Sequence, residues 1–373
     1  MKENLKFPFI LRATVFLLFV WLLYFMFTEF RNYLYPLTLG ILFAYLLYPL
    51  AHRFEKIGIP RILANILSIL IGFFIIYGLV FLLYKQFELF LEDIPNLKET
   101  ASSNVNNIFN TLEHWLGIKT GEMKQQFKEL VNNLLSFNGD NFKSTFGATF
   151  NTMFTIFIMP VYIFFLLFYR NKFKVFVLML ISEKQHKLAE KIIDEINKVT
   201  VHYMRGMVSV VTILIVLNTS GFLFIGLKHP LLMGIIAALM NFIPYYGTIL
   251  GYSFPLFFAI FTMDSPSYAI LVLIQFIIVQ FTENNILTPN IVGAHVNINP
   301  FMIILSITLG GFVWGLPGMF IAVPVVTAFR VLGENVPGLE PLGFLLGPRG
   351  TEEHAITRKK LKRLLTKKEN RNN

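Results

Sequence analysis

Cysteine is absent from the chain, which excludes disulfides, thiolate metal sites and cysteine nucleophiles. Charge is scarce. Asp, Glu, Lys and Arg make up 14% of the residues, against about a quarter in soluble domains. Enzyme signatures are missing too. No His-Glu-x-x-His, P-loop, Gly-x-Gly-x-x-Gly or Gly-x-Ser-x-Gly occurs, so the motifs of zinc peptidases, nucleotide binders and serine hydrolases are not there. The seven His are scattered. The sequence therefore predicts no enzyme, no cofactor and no metal site, and ATP cannot drive a process directly from this chain.

Apolar residues fill the space that charge leaves. They are 55% of the chain, with 41 Phe, and the mean hydropathy is +0.62. Several apolar runs approach or exceed the ~20 residues that cross a bilayer as a helix. The fold class expected is an all-α polytopic membrane protein, and its first partner is the lipid bilayer. The net charge of +10 sits in loops and in the C-terminal tail, where the positive-inside rule places basic residues. It does not predict nucleic-acid binding.

In chain order, residues 1–84 read as three transmembrane helices: an uncleaved first helix with a cytoplasmic N-terminus, a second near Leu34–Leu50 and a third over Ile62–Tyr84. Residues 85–145 change material, with eight acids against six basic residues over Lys85–Ser144. Within them Met123, Phe127, Leu130, Val131, Leu134 and Leu135 fall on one face of an amphipathic helix, the signature of an extracytoplasmic helical insertion packed on something apolar. Residues 146–169 read as a fourth span containing Pro160, and 170–205 as a cytoplasmic linker helix with Leu188, Ile192, Ile196 and Val199 as its apolar stripe. Residues 206–332 form a C-terminal transmembrane core, and 333–373 a basic cytoplasmic tail. Both termini are expected inside.

That core is built from short apolar pieces separated by Gly and Pro. Leu231–Ile243 precedes Pro244 and Gly247, and the next piece holds Gly251 and Pro255. Further on come Gly310, Gly311, Gly315 and Gly318, then a run with Pro324. Runs of about 10–14 residues suit re-entrant or broken helices better than full spans. These Gly and Pro residues are candidate helix-break or gating positions. For Gly310, Gly311 and Gly315, close helix packing is the competing explanation.

Between the two broken pairs lies a polar helix. From Lys228 to Arg330 only Asp264 and Glu283 are formally charged within the interval. A carboxylate at bilayer depth costs about 2.5–3.5 kcal/mol on insertion scales and usually faces a bundle interior or a water-filled path. Around Glu283 stand Gln280, Asn284, Asn285 and Asn290, with Pro289 and Gly293 nearby. Pro289 cannot continue the helical hydrogen bonding, so carbonyls there are freed. These seven residues are the candidate path for a solute or ion. The alternative is a carboxylate that merely ends a helix at the membrane boundary.

The chain resembles the autoinducer-2 exporter family of bacterial permeases. Three places carry the resemblance: Ile243-Pro-Tyr-Tyr-Gly247 with Gly251 and Pro255; Gln280-Phe-Thr-Glu283-Asn284 through Pro289, Gly293 and Pro300; and Gly315-Leu-Pro-Gly318 with Ala322 and Pro324. The resemblance implies about eight membrane segments, homo-oligomers, and export of small solutes such as autoinducer-2. Some relatives are described as sodium or lithium/proton antiporters. Members often carry His before the Pro that closes the second motif, where this chain has Asn299.

Two functions follow. One is a secondary transporter exporting a small polar solute, since neutral amides both donate and accept hydrogen bonds. The other is a monovalent-cation/proton antiporter in which Glu283 alternates between cation and proton.

Overall fold

A chain crossing a bilayer must satisfy its backbone N–H and C=O groups internally. The computed structural model does so with helices alone among the residues it describes, which are 9–117, 121–135, 150–244, 246–292, 298–348 and 350. Five helical stretches are long and apolar enough to cross a membrane, by length and composition. The protein is an all-α polytopic membrane protein.

The elements run α1 Phe9–Glu29, α2 Arg31–Lys56, α3 Arg61–Leu116, α4 Gly121–Leu135, α5 Phe150–Phe168, α6 Arg170–Met179, α7 His186–Ile225 and α8 Pro230–Met240. They continue as α9 Tyr246–Thr262, α10 Ser267–Thr282, a π-helical turn Glu283–Leu287, α11 Thr288–Ile291, α12 Pro300–Trp314, α13 Leu316–Asn335 and α14 Glu340–Leu346. Two of these helices are continuous where the sequence changes character. α3 carries its apolar stretch straight into the polar insertion, and its 56 residues make a rod of about 84 Å at 1.5 Å per residue. α7 likewise joins the basic linker to the following apolar run over 40 residues.

The principal core lies between α7, α8, α9 and α13, with Met204, Val210, Leu214, Phe222, Leu232, Met233 and Val323 buried in it. α8 has only 11 residues, about 16 Å of helix, roughly half the ~30 Å hydrocarbon thickness. It cannot cross alone. It folds back against α9 instead, and the two helices approach through glycine. A Cβ at Gly251 would lie 2.6 Å from the Ala237 carbonyl oxygen, and one at Gly247 would run into the Met240 carbonyl. The same device closes the second hairpin, where Gly310 of α12 and Gly318 of α13 meet backbone to backbone. Gly315 makes the turn between those helices at φ +63°, a conformation that L side chains rarely adopt.

The distal part of α3 packs on the rest through a second cluster. Ala101, Val105 and Phe109 of α3 meet Phe127 and Val131 of α4 and Phe261 of α9. The amphipathic face expected on α4 is thus used against α3 and α9, while Met123 and Leu130 of that face stay exposed. The Asn104 amide adds polar contacts, donating to the carbonyls of Phe261 at 3.1 Å and Met263 at 2.7 Å. Eleven positions earlier on the same helix, Asp93 pairs with His229 at 3.2 Å. His229 caps the start of α8 at φ +54°. Both ends of the α8–α9 hairpin are therefore held by one helix.

Candidate functional site

The α8–α9 hairpin ends in a tight turn. Three successive i→i+3 bonds, from the N–H groups of Asn241, Phe242 and Ile243 to the carbonyls of Ala238, Leu239 and Met240, tighten the chain at the end of α8. Such bonds satisfy carbonyls that a helix end would leave orphaned. The turn is fixed in place by Phe242, whose ring meets that of Phe320 on α13 edge-on at 5.4 Å. Tyr246 reaches Thr308 of α12 at 3.3 Å. The tip of the first hairpin thus touches the second.

Asn241 sits at that tip, buried, and faces the interruption in α10. There the α-helix gives way to a π-helical turn over Glu283–Leu287. Such turns are rare and occur disproportionately at functional sites. Glu283 is buried at 9% exposure, and its Oε1 accepts a hydrogen bond from Asn241 Nδ2 at 2.6 Å. Gln280 stands three residues earlier, one turn back along the same helical run. Among the described residues no Lys, Arg or His forms an ion pair with Glu283. Its carboxyl group is met by an amide.

The remaining candidate path residues are placed differently. Asn284, Asn285, Pro289 and Asn290 are exposed. The side-chain amides of Asn285 and Asn290 turn back onto their own helix, donating to the carbonyls of Phe281 at 2.9 Å and Ile286 at 2.7 Å. Pro289 opens α11 in its first turn, a position where its missing N–H is tolerated. The end of α11 closes on α7 at Gly206, where a Cβ would lie 3.0 Å from Val292 Cα. Gly293 lies outside the described residues.

The helix-break candidates divide by role. Pro244 lies in the α8–α9 turn, and Gly247 and Gly251 allow the helices of that hairpin to touch. Gly310 and Gly318 do the same for the second hairpin, while a Cβ at Gly311 would meet only the flexible Met319 side chain. Pro255 and Pro324 are buried inside α9 and α13, which continue through them. Asn299, in the place where relatives often have His, caps α12 by accepting from the Phe301 N–H at 3.0 Å.

A set of residues that the sequence did not single out as site residues extends the polar centre. Asn218 of α7, Tyr252 of α9 and Gln275 of α10 are all buried. The Tyr252 hydroxyl donates to the Asn218 side-chain oxygen, and Gln275 Nε2 donates to the Asn218 backbone oxygen at 3.1 Å. Isolated polar residues within apolar helices carry no sign of where they point, so only the helix packing brings them together.

A multi-pass helical bundle that buries a carboxylate where a short hairpin meets an interrupted helix has the build of a membrane transport protein. The sequence comparisons give the family. A family model described as the AI-2E family transporter matches residues 13–338, and the chain belongs to that family. It is 29% identical over 308 residues to YrrI of Bacillus subtilis (strain 168), provisionally named a transport protein, covering 80% of this chain and 84% of that one. It is also 24% identical over 312 residues to PerM of Escherichia coli (strain K12), provisionally named a permease, covering 81% and 87%. These names agree with the membrane architecture.

Proposed function

We propose that the protein is a secondary permease of the bacterial inner membrane that exports a small polar solute of the autoinducer-2 kind. In this reading both termini are cytoplasmic, and the solute passes Gln280 and Glu283. The observation that carries it is the buried Glu283 carboxylate held by the Asn241 amide, with the Gln280 amide one turn away on the same helical run. Amides and a carboxylate together provide the donors and acceptors that a hydroxyl-rich solute exchanges for water. Because Glu283 is occluded, the reading requires the α8–α9 tip to move away from it during transport.

A second reading, a Na⁺ or Li⁺/H⁺ antiporter, is favoured by the lack of an ion-pair partner for Glu283 among the described residues. A carboxylate without a fixed countercharge is free to alternate between a proton and a cation. Purified protein in proteoliposomes separates the two. Autoinducer-2 efflux from loaded vesicles, reduced but not abolished by Glu283→Gln, supports the permease. A Na⁺- or Li⁺-dependent proton flux that Glu283→Gln eliminates, with no autoinducer-2 efflux from wild type, replaces it with the antiporter.

A further inference from the structure

Gln275 lies eight residues before Glu283 on the same helical run, about 12 Å away at 1.5 Å per residue. The facing helix is pared down to admit it: a Cβ at Gly221 of α7 would run into the Gln275 amide. One end of that amide is used, Nε2 donating to the Asn218 backbone oxygen. The other end is not. Gln275 Oε1 is buried with no hydrogen-bond partner, and the residue is 8% exposed. Turning the amide over does not help, because it would set Oε1 against a carbonyl oxygen and strand the NH₂ group instead.

Helix-to-helix adhesion accounts for the donated bond, as polar side chains often serve that purpose in membranes. It does not account for an acceptor left bare, which costs about 1–3 kcal/mol when buried. An aliphatic residue would pack against Gly221 without that cost. Asn218 is shared with a second polar group: the Tyr252 hydroxyl, which donates to its side-chain oxygen, retains lone-pair capacity of its own. A neutral amide oxygen and a phenolic oxygen suit a hydroxyl, for which a single acceptor suffices. A monovalent cation would need several oxygens.

We propose that Gln275, with Asn218 and Tyr252, forms a second hydrogen-bonding station for a hydroxyl of the transported solute, about two turns of helix from Glu283. The proposal rests on the permease reading and extends its path into the Ser267 half of α10. Glu283 and Gln275 would then hold the solute in succession.

The chain's lack of cysteine gives a test free of background labelling. In full-length protein, Gln275→Cys is compared with Val272→Cys, which is also buried and less than one turn away. A small water-soluble methanethiosulfonate reagent reports access, because a thiol in apolar surroundings keeps its proton and reacts slowly. We expect Gln275→Cys to label at least about tenfold faster than Val272→Cys, the factor given by one unit of thiol pKa, and saturating autoinducer-2 to slow it. Equal rates overturn the station. Fast labelling that autoinducer-2 leaves unchanged also overturns it, marking a water pocket instead. Asn218→Cys, on the facing helix, repeats both comparisons should Gln275→Cys fail to fold. Failure of the permease reading shows separately, as wild-type vesicles that retain autoinducer-2.

Discussion

Asn241 and Glu283, 42 positions apart, are joined by a 2.6 Å hydrogen bond at the point where a hairpin tip meets an interrupted helix. The bond makes the hairpin's position and the carboxylate's environment one variable. Withdrawing the tip removes a donor from a buried acceptor, which costs about 1–3 kcal/mol or more for a charged group.

Asn241→Ala should therefore destabilise the protein by roughly that amount and impair transport. Asn241→Asp places a second carboxylate beside the first, and like charges at that distance cannot both ionise. It should retain the fold and change the pH dependence of transport. Proteoliposome flux across a pH series, beside thermal unfolding in detergent, measures both. An unchanged pH profile in Asn241→Asp would contradict the coupling.

Glycine substitutions should separate contact from flexibility. A Cβ at Gly247 runs into the Met240 carbonyl, whereas one at Gly78 in α3 meets nothing within 4 Å. Gly247→Ala should cost about 1–3 kcal/mol through overpacking. Gly78→Ala should be neutral or stabilising by up to ~1 kcal/mol, since alanine is the better helix former. Matched thermal melts of the two variants settle the comparison, and equal melting temperatures would refute the close approach of α8 and α9.

Asn104→Ala removes the bonds to the Phe261 and Met263 carbonyls and should loosen the end of α9. Hydrogen exchange should quicken around Phe261–Asp264 while the tip at Asn241 keeps its protection. Exchange unchanged at both places would show that the apolar contacts of Phe261 hold α9 without help.

Lys174 of α6 bonds Glu190 at 2.8 Å and Asp194 at 3.0 Å on α7. The hydrogen bonds to Glu190 and then Asp194 raise its pKa above the usual 10.5. A raised lysine pKa contributes stability that is complete below the unfolded value and is lost as pH climbs through the folded one. The α6–α7 link should thus hold from neutral pH to about pH 10 and fail above it. Added salt should weaken it at any pH, because both acids are exposed and screening is effective there. Exchange in α6 at several pH and salt values reads this out.

Glu283 stood out because only one other charged residue, Asp264, shares its long apolar interval. Asn241 was not. It stands within an apolar run just ahead of Pro244, and nothing near it in sequence announces a partner 42 residues away. Asn285 and Asn290 show the opposite problem: closeness in sequence suggested a shared site, but each amide bonds a carbonyl of its own helix. Gly310 and Gly318 were legible as special positions, and the backbone contact between them needed the hairpin. The continuity of α3 was hidden because composition changes at Lys85 while helix propensity does not. Lys, Glu, Leu and Gln sustain a helix in water as readily as apolar residues do in lipid.

That continuity gives α3 a mechanical consequence. The helix grips the two ends of the hairpin at Asp93 and Asn104, and Leu116 extends it about 18 Å further at 1.5 Å per residue. Should the hairpin rock during transport, as the proposed function requires of its tip, α3 would carry that movement to α4, which packs on its distal part. A nanobody clamped on α4 would therefore act as a brake, arresting the carrier from a surface remote from its polar centre.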